Sequence, residues 1–268
     1  MRSGLPRLRL ALAAGLLALL GGCASVPANP TAANPADPWE NWNRKVYSFN
    51  DKVDEAVLKP VATAYRDTVP ELVRTGIGNV LGNIGDVWST ANHFLQGKFQ
   101  SGLEMGMRVL TNSVFGLGGL LDPATPMGLT RRSEDFGQTL GRWGVGGGPF
   151  VMLPLLGPST VRDTAGWVVD RPASPSNLPP TATGRNSLTA ISVIDLRANL
   201  LSTTKLLDSV ALDRYSFVRD AYLQRRLDQV YDGAPPMEDF GDDPLDTPAP
   251  AAAAASAPAR PAARPASR

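Results

Sequence analysis

Apolar residues recur at spacings of three and four through most of the chain, and runs that alternate with a period of two are few. That pattern predicts a predominantly helical, all-α domain. Trp39, Trp42, Val46, Phe49, Val53 and Val57 mark one face of a first helix. It is expected to open at Asp37-Pro38-Trp39-Glu40, with Asp37 as cap, Pro38 at the first helical position and Glu40 reaching back, and to end at Pro60. This stripe reads either as core packing or as a membrane-facing belt, because Trp favours the bilayer interface. A second helix spans roughly 70–97, with Val73, Ile77, Val80, Ile84, Trp88, Ala91 and Leu95 on its apolar side. Opposite them, Asn79, Asn83, Asp86, Thr90 and His93 recur at the same spacing. This mostly uncharged stripe is either a solvated face or the lining of a polar passage, and Asn79, Asn83, Asp86 and Thr90 are the candidate lining. Gly78, Gly82 and Gly85 lie on a third side, where each costs about 1 kcal/mol against Ala, which points to a close approach or a bend. A third helix fits 100–115, with Leu103, Met107, Leu110 and Val114 as one face. The stretch 188–231 is helical again and is expected to split near 208–213.

The segment 136–163, FGQTLGRWGVGGGPFVMLPLLGPSTVRD, departs from this pattern. Gly144, Gly146, Gly147 and Gly148 relax the backbone, and Pro149, Pro154 and Pro158 remove donors. It is expected to be an irregular apolar loop whose run from Phe150 to Leu156 needs cover from protein or from something greasy. Beyond Trp167, four prolines at 172, 175, 179 and 180 predict a continuing loop.

Composition adds three facts. The chain has 268 residues and a formal charge of +1, so no global field argues for nucleic acid or for an acidic surface. Its single cysteine, Cys23, follows a basic start (Arg2, Arg7, Arg9), an apolar centre and the pair Gly21-Gly22. Those are the parts of a secretory signal peptide, and the apolar run falls short of the ~20 residues needed to span a bilayer. The ending Leu20-Gly21-Gly22-Cys23 resembles a bacterial lipobox, which implies that Cys23 is lipidated as the mature N-terminus. Residues 1–22 are then the signal peptide, 23–36 an Ala/Pro/Asn tether, 37–232 the helical domain and 233–268 an acidic, then Ala/Pro-rich tail read as disordered.

Catalytic chemistry has no positive signal. One histidine cannot build a multi-His zinc site, and no nucleophile elbow or phosphate loop is present. The glycines at 144–148 lack nucleotide-cradle spacing, with Pro149 in the sixth position. His93 with Ser89 or Ser113 is a conceivable hydrolase pair, but such residues occur in almost every protein.

The quoted segments DPWENWNRKVYSFND, KPVATAYRDTVPELVRTGIGNVLGNI, FLQGKFQSGLEMGMRVLTNSVFGLGGLLD and FGQTLGRWGVGGGPFVMLPLLGPSTVRD, with VRDAYLQRR more weakly, resemble the VacJ or MlaA outer-membrane lipoproteins in content and order. The resemblance implies a ring-like bundle of helices around a central polar passage, lying in the inner leaflet of the outer membrane and anchored by lipid on its periplasmic face. It implies removal of misplaced phospholipid from the outer leaflet, transfer to a periplasmic lipid-carrier protein, association with an outer-membrane trimeric porin, and no cofactor, enzyme activity or nucleic-acid partner. It also implies that Gly144, Gly146, Gly147, Gly148 and Pro149 form a gating loop beside the passage, and that Phe49 and Asn50 control it. A structural lipoprotein that only anchors a porin, or a lipid or cell-wall hydrolase, are the alternatives.

Overall fold

The computed structural model describes residues 34–235. The signal peptide, Cys23 and the tail beyond 235 lie outside the described residues. Its elements are α1 (Glu40–Val53), a π-helical turn (Asp54–Leu58), α2 (Lys59–Thr68), α3 (Glu71–Leu95), α4 (Phe99–Val114), α5 (Phe136–Arg142), β1 (Phe150–Leu153), β2 (Gly157–Thr160), α6 (Val161–Asp170), two short 3-10 turns (Arg171–Ala173 and Pro175–Asn177), α7 (Ala182–Val210) and α8 (Arg214–Val230). The domain is therefore predominantly helical, with one antiparallel hairpin pairing Phe150 with Thr160 and Leu153 with Gly157.

Contacts between elements close on themselves. From α1 the chain continues through the π turn into α2; α2 packs on α7, α7 on α3, α3 on α5, α5 on α8, α8 on β2, and β1 returns to α1. A closed circuit of short elements has little room for one central apolar core. Two small clusters serve instead: Val46, Phe150, Met152 and Tyr215, and separately Ala62, Ala198 and Leu201. Between them the described residues bury many polar groups, among them Asn43, Asn92, His93, Arg108 and Thr139. No helix among the described residues is long and apolar enough to cross a membrane.

Several expectations change. The first helix starts at Glu40 rather than Asp37, and Asp37 does not cap it. The Asp37 carboxylate is buried and accepts instead from Asn43, Tyr215 and Arg219, which are stronger partners than a helix end exposed to water. Pro60 does not end the helical path. The backbone widens into the π turn, where the Lys59 N–H reaches back to the Asp54 carbonyl, and the helical path continues through the proline into α2. The segment 136–163 is not irregular: α5, capped by Asp135, precedes the hairpin, and α6 begins at Val161, capped by Thr160. Cα-close packing of α5 on α6 depends on glycine, since a Cβ on Gly166 would stand 2.5 Å from the Gly137 nitrogen. The predicted loop after Trp167 is helix to Asp170 and then the two 3-10 turns, and α7 starts six residues before the expected 188. The second, third and last helices match their expected spans closely, and the break between α7 and α8 falls at 211–213.

Burial also reassigns faces. The polar stripe of α3 is its inner side: Asn83, Asp86 and His93 are buried, while Val73 and Leu95 are exposed. On α4, Leu103, Met107, Leu110 and Val114 form one face as their spacing predicts, and 55–67% of each is exposed. Trp42, Phe49 and Val57 on the first helical segment are likewise exposed, and of their stripe only Val46 is buried.

Candidate functional site

Beside α5, α6, α8 and the hairpin lies a cavity of about 520 Å³. Its wall carries Glu134, Asp135, Gln138, Asp163, Asp170, Tyr222, Arg225 and Arg226, and its apolar side carries Leu153, Leu156, Pro158 and Trp167. A second cavity of about 980 Å³ shares Ser133, Glu134, Gln138 and Gln229 with it and extends the polar surface to Lys98 and Asp232.

Arg226, projecting from α8, holds the wall together. Its guanidinium donates to Asp163 (Nε to Oδ2 3.0 Å, Nη2 to Oδ1 2.8 Å) and to Asp135 (Nη1 to Oδ2 2.6 Å, Nη2 to Oδ1 3.0 Å). Asp163 also accepts from Tyr222 Oη at 2.8 Å and from Arg162 Nη2 at 2.9 Å. Burial by itself would raise both carboxyls, but the Arg226 hydrogen bonds and charge outweigh it and hold Asp135 and Asp163 below the ordinary carboxylate range. Burial first, and the Asp163 charge second, push the Tyr222 hydroxyl up, so it stays a donor. Asp170 behaves differently: burial raises it, and the Trp88 and Phe136 hydrogen bonds to its Oδ1 only partly oppose that.

The hairpin is clamped to α1 by two asparagines seven residues apart, hence on one helix face. Asn43 Nδ2 donates to the Phe150 carbonyl at 3.1 Å, and its Oδ1 accepts from Met152 N at 2.8 Å. Asn50 repeats the arrangement two turns on, donating to the Leu153 carbonyl at 2.9 Å and accepting from Leu155 N at 2.8 Å. The Asn43 amide thus occupies the place of a neighbouring strand along the free edge of β1, and the Asn50 amide holds the turn that follows it. Beyond the clamp the tip exposes Leu155, in the left-handed region at φ 62°, and Leu156.

Of the sequence-predicted residues, Asn50 sits in this clamp, and Phe49 is exposed beside it. Gly144, Gly146, Gly147, Gly148 and Pro149 form the connection between α5 and β1, with Gly144 at φ 91° and Gly148 at φ 68°. Gly147 and Pro149 are tied to the start of α6 through Arg162 N and Val161 N, whereas a Cβ on Gly146 would meet nothing within 4 Å. Asn79, Asn83, Asp86 and Thr90 are not among the residues lining the 520 Å³ cavity. They pack α3 against α4 and the loop after it: Asn79 bonds the Leu120 carbonyl, Asn83 bonds Ser113, and Asp86 takes Arg131 Nε at 3.0 Å and Arg108 Nε at 3.4 Å. Thr90 returns its hydroxyl to the Asp86 carbonyl. Gly82 leaves the space that the Arg131 guanidinium fills. Cys23 lies outside the described residues.

The run from Phe150 to Leu156 is divided by strand alternation: Phe150 and Met152 are covered by Val46, Tyr215 and Tyr222, and only the tip needs another cover. Sequence reading missed Asn43 as a clamp and the Asp135, Asp163, Tyr222, Arg225 and Arg226 group. The i, i+7 asparagine pair was the available signal for the first; nothing local joins residues ninety positions apart for the second. Ser89 donates to the Arg132 carbonyl, which His93 Nε2 also meets, so these two do not pair with each other, and Ser113 accepts from Asn83. Among the described residues no cluster of His, Cys, Asp or Glu is arranged to hold a metal ion.

A family model described as MlaA lipoprotein matches residues 35–229. The chain is 38% identical over 225 residues to the intermembrane phospholipid transport system lipoprotein MlaA of Escherichia coli, covering 82% of this chain and 87% of that protein. It is 31% identical over 219 residues to the protein of the same name from Haemophilus influenzae, covering 80% and 87%. A solved structure described as giving the structural basis for maintenance of bacterial outer membrane lipid asymmetry aligns with a TM-score of 0.63 at 37% identity, covering 72% of this chain and 98% of that one.

Proposed function

Since the chain belongs to the MlaA lipoprotein family, we propose that it works as that family's outer-membrane component of intermembrane phospholipid transport, keeping the outer membrane's lipids asymmetric. Misplaced phospholipid leaves the outer leaflet head group first through a polar passage inside the helical circuit and is handed to a periplasmic carrier. The observation that carries this reading is the amphipathic cavity, charged along one wall and apolar along the hairpin side. A polar wall spares a head group several kcal/mol of desolvation, while Leu153, Leu156 and Trp167 accept acyl chain. The exposed faces of α1 and α4 suit an apolar belt among acyl chains or against a trimeric porin. Asn79, Asn83, Asp86 and Thr90 then support the inner side of the circuit by fixing α3. These residues bind and steer; none reacts.

The lipid anchor is assigned to Cys23, holding the domain on the periplasmic face of the outer membrane. A Cys23→Ala chain should take up no labelled fatty acid in growing cells, and labelling equal to wild type would remove this assignment.

Gating is assigned to the hairpin tip, with Asn50 as its latch, Phe49 beside it and the 144–149 connection as its hinge. Asn50→Ala removes both bonds to the tip yet leaves Asn43 in place, so folding should survive. In cells lacking the wild-type gene product, this variant should reach normal abundance but leave outer-leaflet phospholipid raised toward the level of the deletion. Asymmetry equal to wild type in the variant rejects the latch. Unchanged asymmetry in the deletion itself rejects transport in favour of a lipoprotein that only anchors a porin.

A further inference from the structure

Nearly every charge on the 520 Å³ cavity is neutralised within the protein, and the exceptions are of opposite sign. Arg226 answers Asp135 and Asp163, Arg162 adds to Asp163, and Lys98 answers Glu134 at 2.9 Å. Arg225 has no ion pair or side-chain hydrogen bond among the described residues, and its side chain is exposed at the cavity. Asp170 lines the same cavity. Its Oδ1 accepts from Trp88 Nε1 at 2.6 Å and Phe136 N at 3.0 Å, while among the described residues its Oδ2 accepts no hydrogen bond and no Lys or Arg forms a salt bridge with it. A carboxylate half-buried without a cation, facing the same space as a guanidinium without an anion, is complementary to a ligand that carries both charges.

We propose that this cavity selects a zwitterionic, amine-bearing phospholipid head group, with Arg225 taking the phosphate and Asp170 the ammonium. The assignment rests on the phospholipid-transport reading above and deepens it by naming the head group. A guanidinium fork matches phosphate oxygens, and an ammonium with three donors matches a carboxylate whose outer oxygen is free. A volume of about 520 Å³ falls within the roughly 300–1,000 Å³ of small-molecule sites. An anionic head group without an amine would satisfy Arg225 but leave Asp170 facing it uncompensated.

The test uses the full-length lipoprotein in detergent, incubated with equimolar phosphatidylethanolamine and phosphatidylglycerol, re-isolated, and assayed for each bound lipid by mass spectrometry. Wild type should retain phosphatidylethanolamine over phosphatidylglycerol by about threefold, as a partly exposed ion pair allows. Asp170→Asn keeps an acceptor for Trp88 and Phe136; it should abolish the preference by lowering retained phosphatidylethanolamine to the phosphatidylglycerol level, with phosphatidylglycerol unchanged or raised. Arg225→Ala should lower both lipids, with Arg225→Lys recovering part. No preference in wild type, or a preference that Asp170→Asn leaves unchanged, overturns the head-group assignment while the transport reading stands. Retention of neither lipid by wild type overturns both. The wild-type ratio decides the matter even if a variant fails to fold.

Discussion

Arg226→Ala is expected to lower the unfolding free energy by about 3 kcal/mol at neutral pH, the low end for removing one partner of a buried ion pair. Asp163 carries most of this, since it is buried and would keep only Arg162 and Tyr222; Asp135 keeps more than a third of its side chain exposed, so water offsets part of its loss. For a domain of this size the thermal midpoint should fall by roughly 6–12 °C. The pH dependence fixes the sign. In the wild type both carboxyls sit below their unfolded value, so their stabilisation is present above about pH 4 and is lost as pH falls further through the folded values. Without Arg226 burial is less opposed and raises both, so protonation relieves the variant. Chemical denaturation at neutral pH and near pH 4 should therefore show the difference between variant and wild type shrinking on acidification. A difference that stays constant or widens would remove Arg226 as the counter-ion of this wall.

Asn43→Ala should cost about as much, through hydrogen bonds rather than charge. The Asn43 side chain is fully buried and makes three bonds: to Asp37 Oδ1 at 2.8 Å, to the Phe150 carbonyl and from Met152 N. Truncation leaves a backbone carbonyl and a backbone N–H unpaired beside the buried Phe150 and Met152, at roughly 1–3 kcal/mol for each unsatisfied group. The hairpin should then detach from α1 and become a preferred site for protease cleavage between residues 150 and 160, at concentrations that leave wild type intact. Asn43→Asp preserves shape and the acceptor for Met152 N, but sets a second carboxylate against Asp37; it should destabilise at least as much. A wild-type denaturation midpoint and cleavage rate in Asn43→Ala would show that strand pairing alone holds the hairpin.

Both variants touch residues whose importance local pattern does not carry. Asn43 stands on α1 among Trp42, Arg44 and Val46, and the sequence reads it as a polar residue away from the apolar stripe. It is buried because β1, more than a hundred residues on, brings an unpaired strand edge to it. The same kind of reading makes Asp37 a helix cap, and Tyr215 and Arg219 on α8 draw it away. The α3 stripe was the reverse case: the repeat of Asn79, Asn83, Asp86 and Thr90 left a solvated face and a polar lining both open, and Asn83 and Asp86 are buried against α4 and the loop after it.

By itself the sequence determined α3, α4 and α8, because apolar spacing, Pro70 and the glycines after α4 act within a few residues of where they stand; the expected end at Pro60 and the expected start of the helix at 188 did not hold. It also determined the family, through the order of its motifs. Only the tertiary structure decided which faces are covered. Periodicity reports that Leu103, Met107, Leu110 and Val114 share a side, and Phe150 through Leu156 a run, but cover depends on which distant element arrives. The hairpin divides that run between a protein core and an exposed tip, and the circuit of elements leaves the α4 face outside. The charge balance of the cavity, with Arg226 spent and Arg225 free on adjacent positions, likewise exists only once α5, α6 and α8 meet.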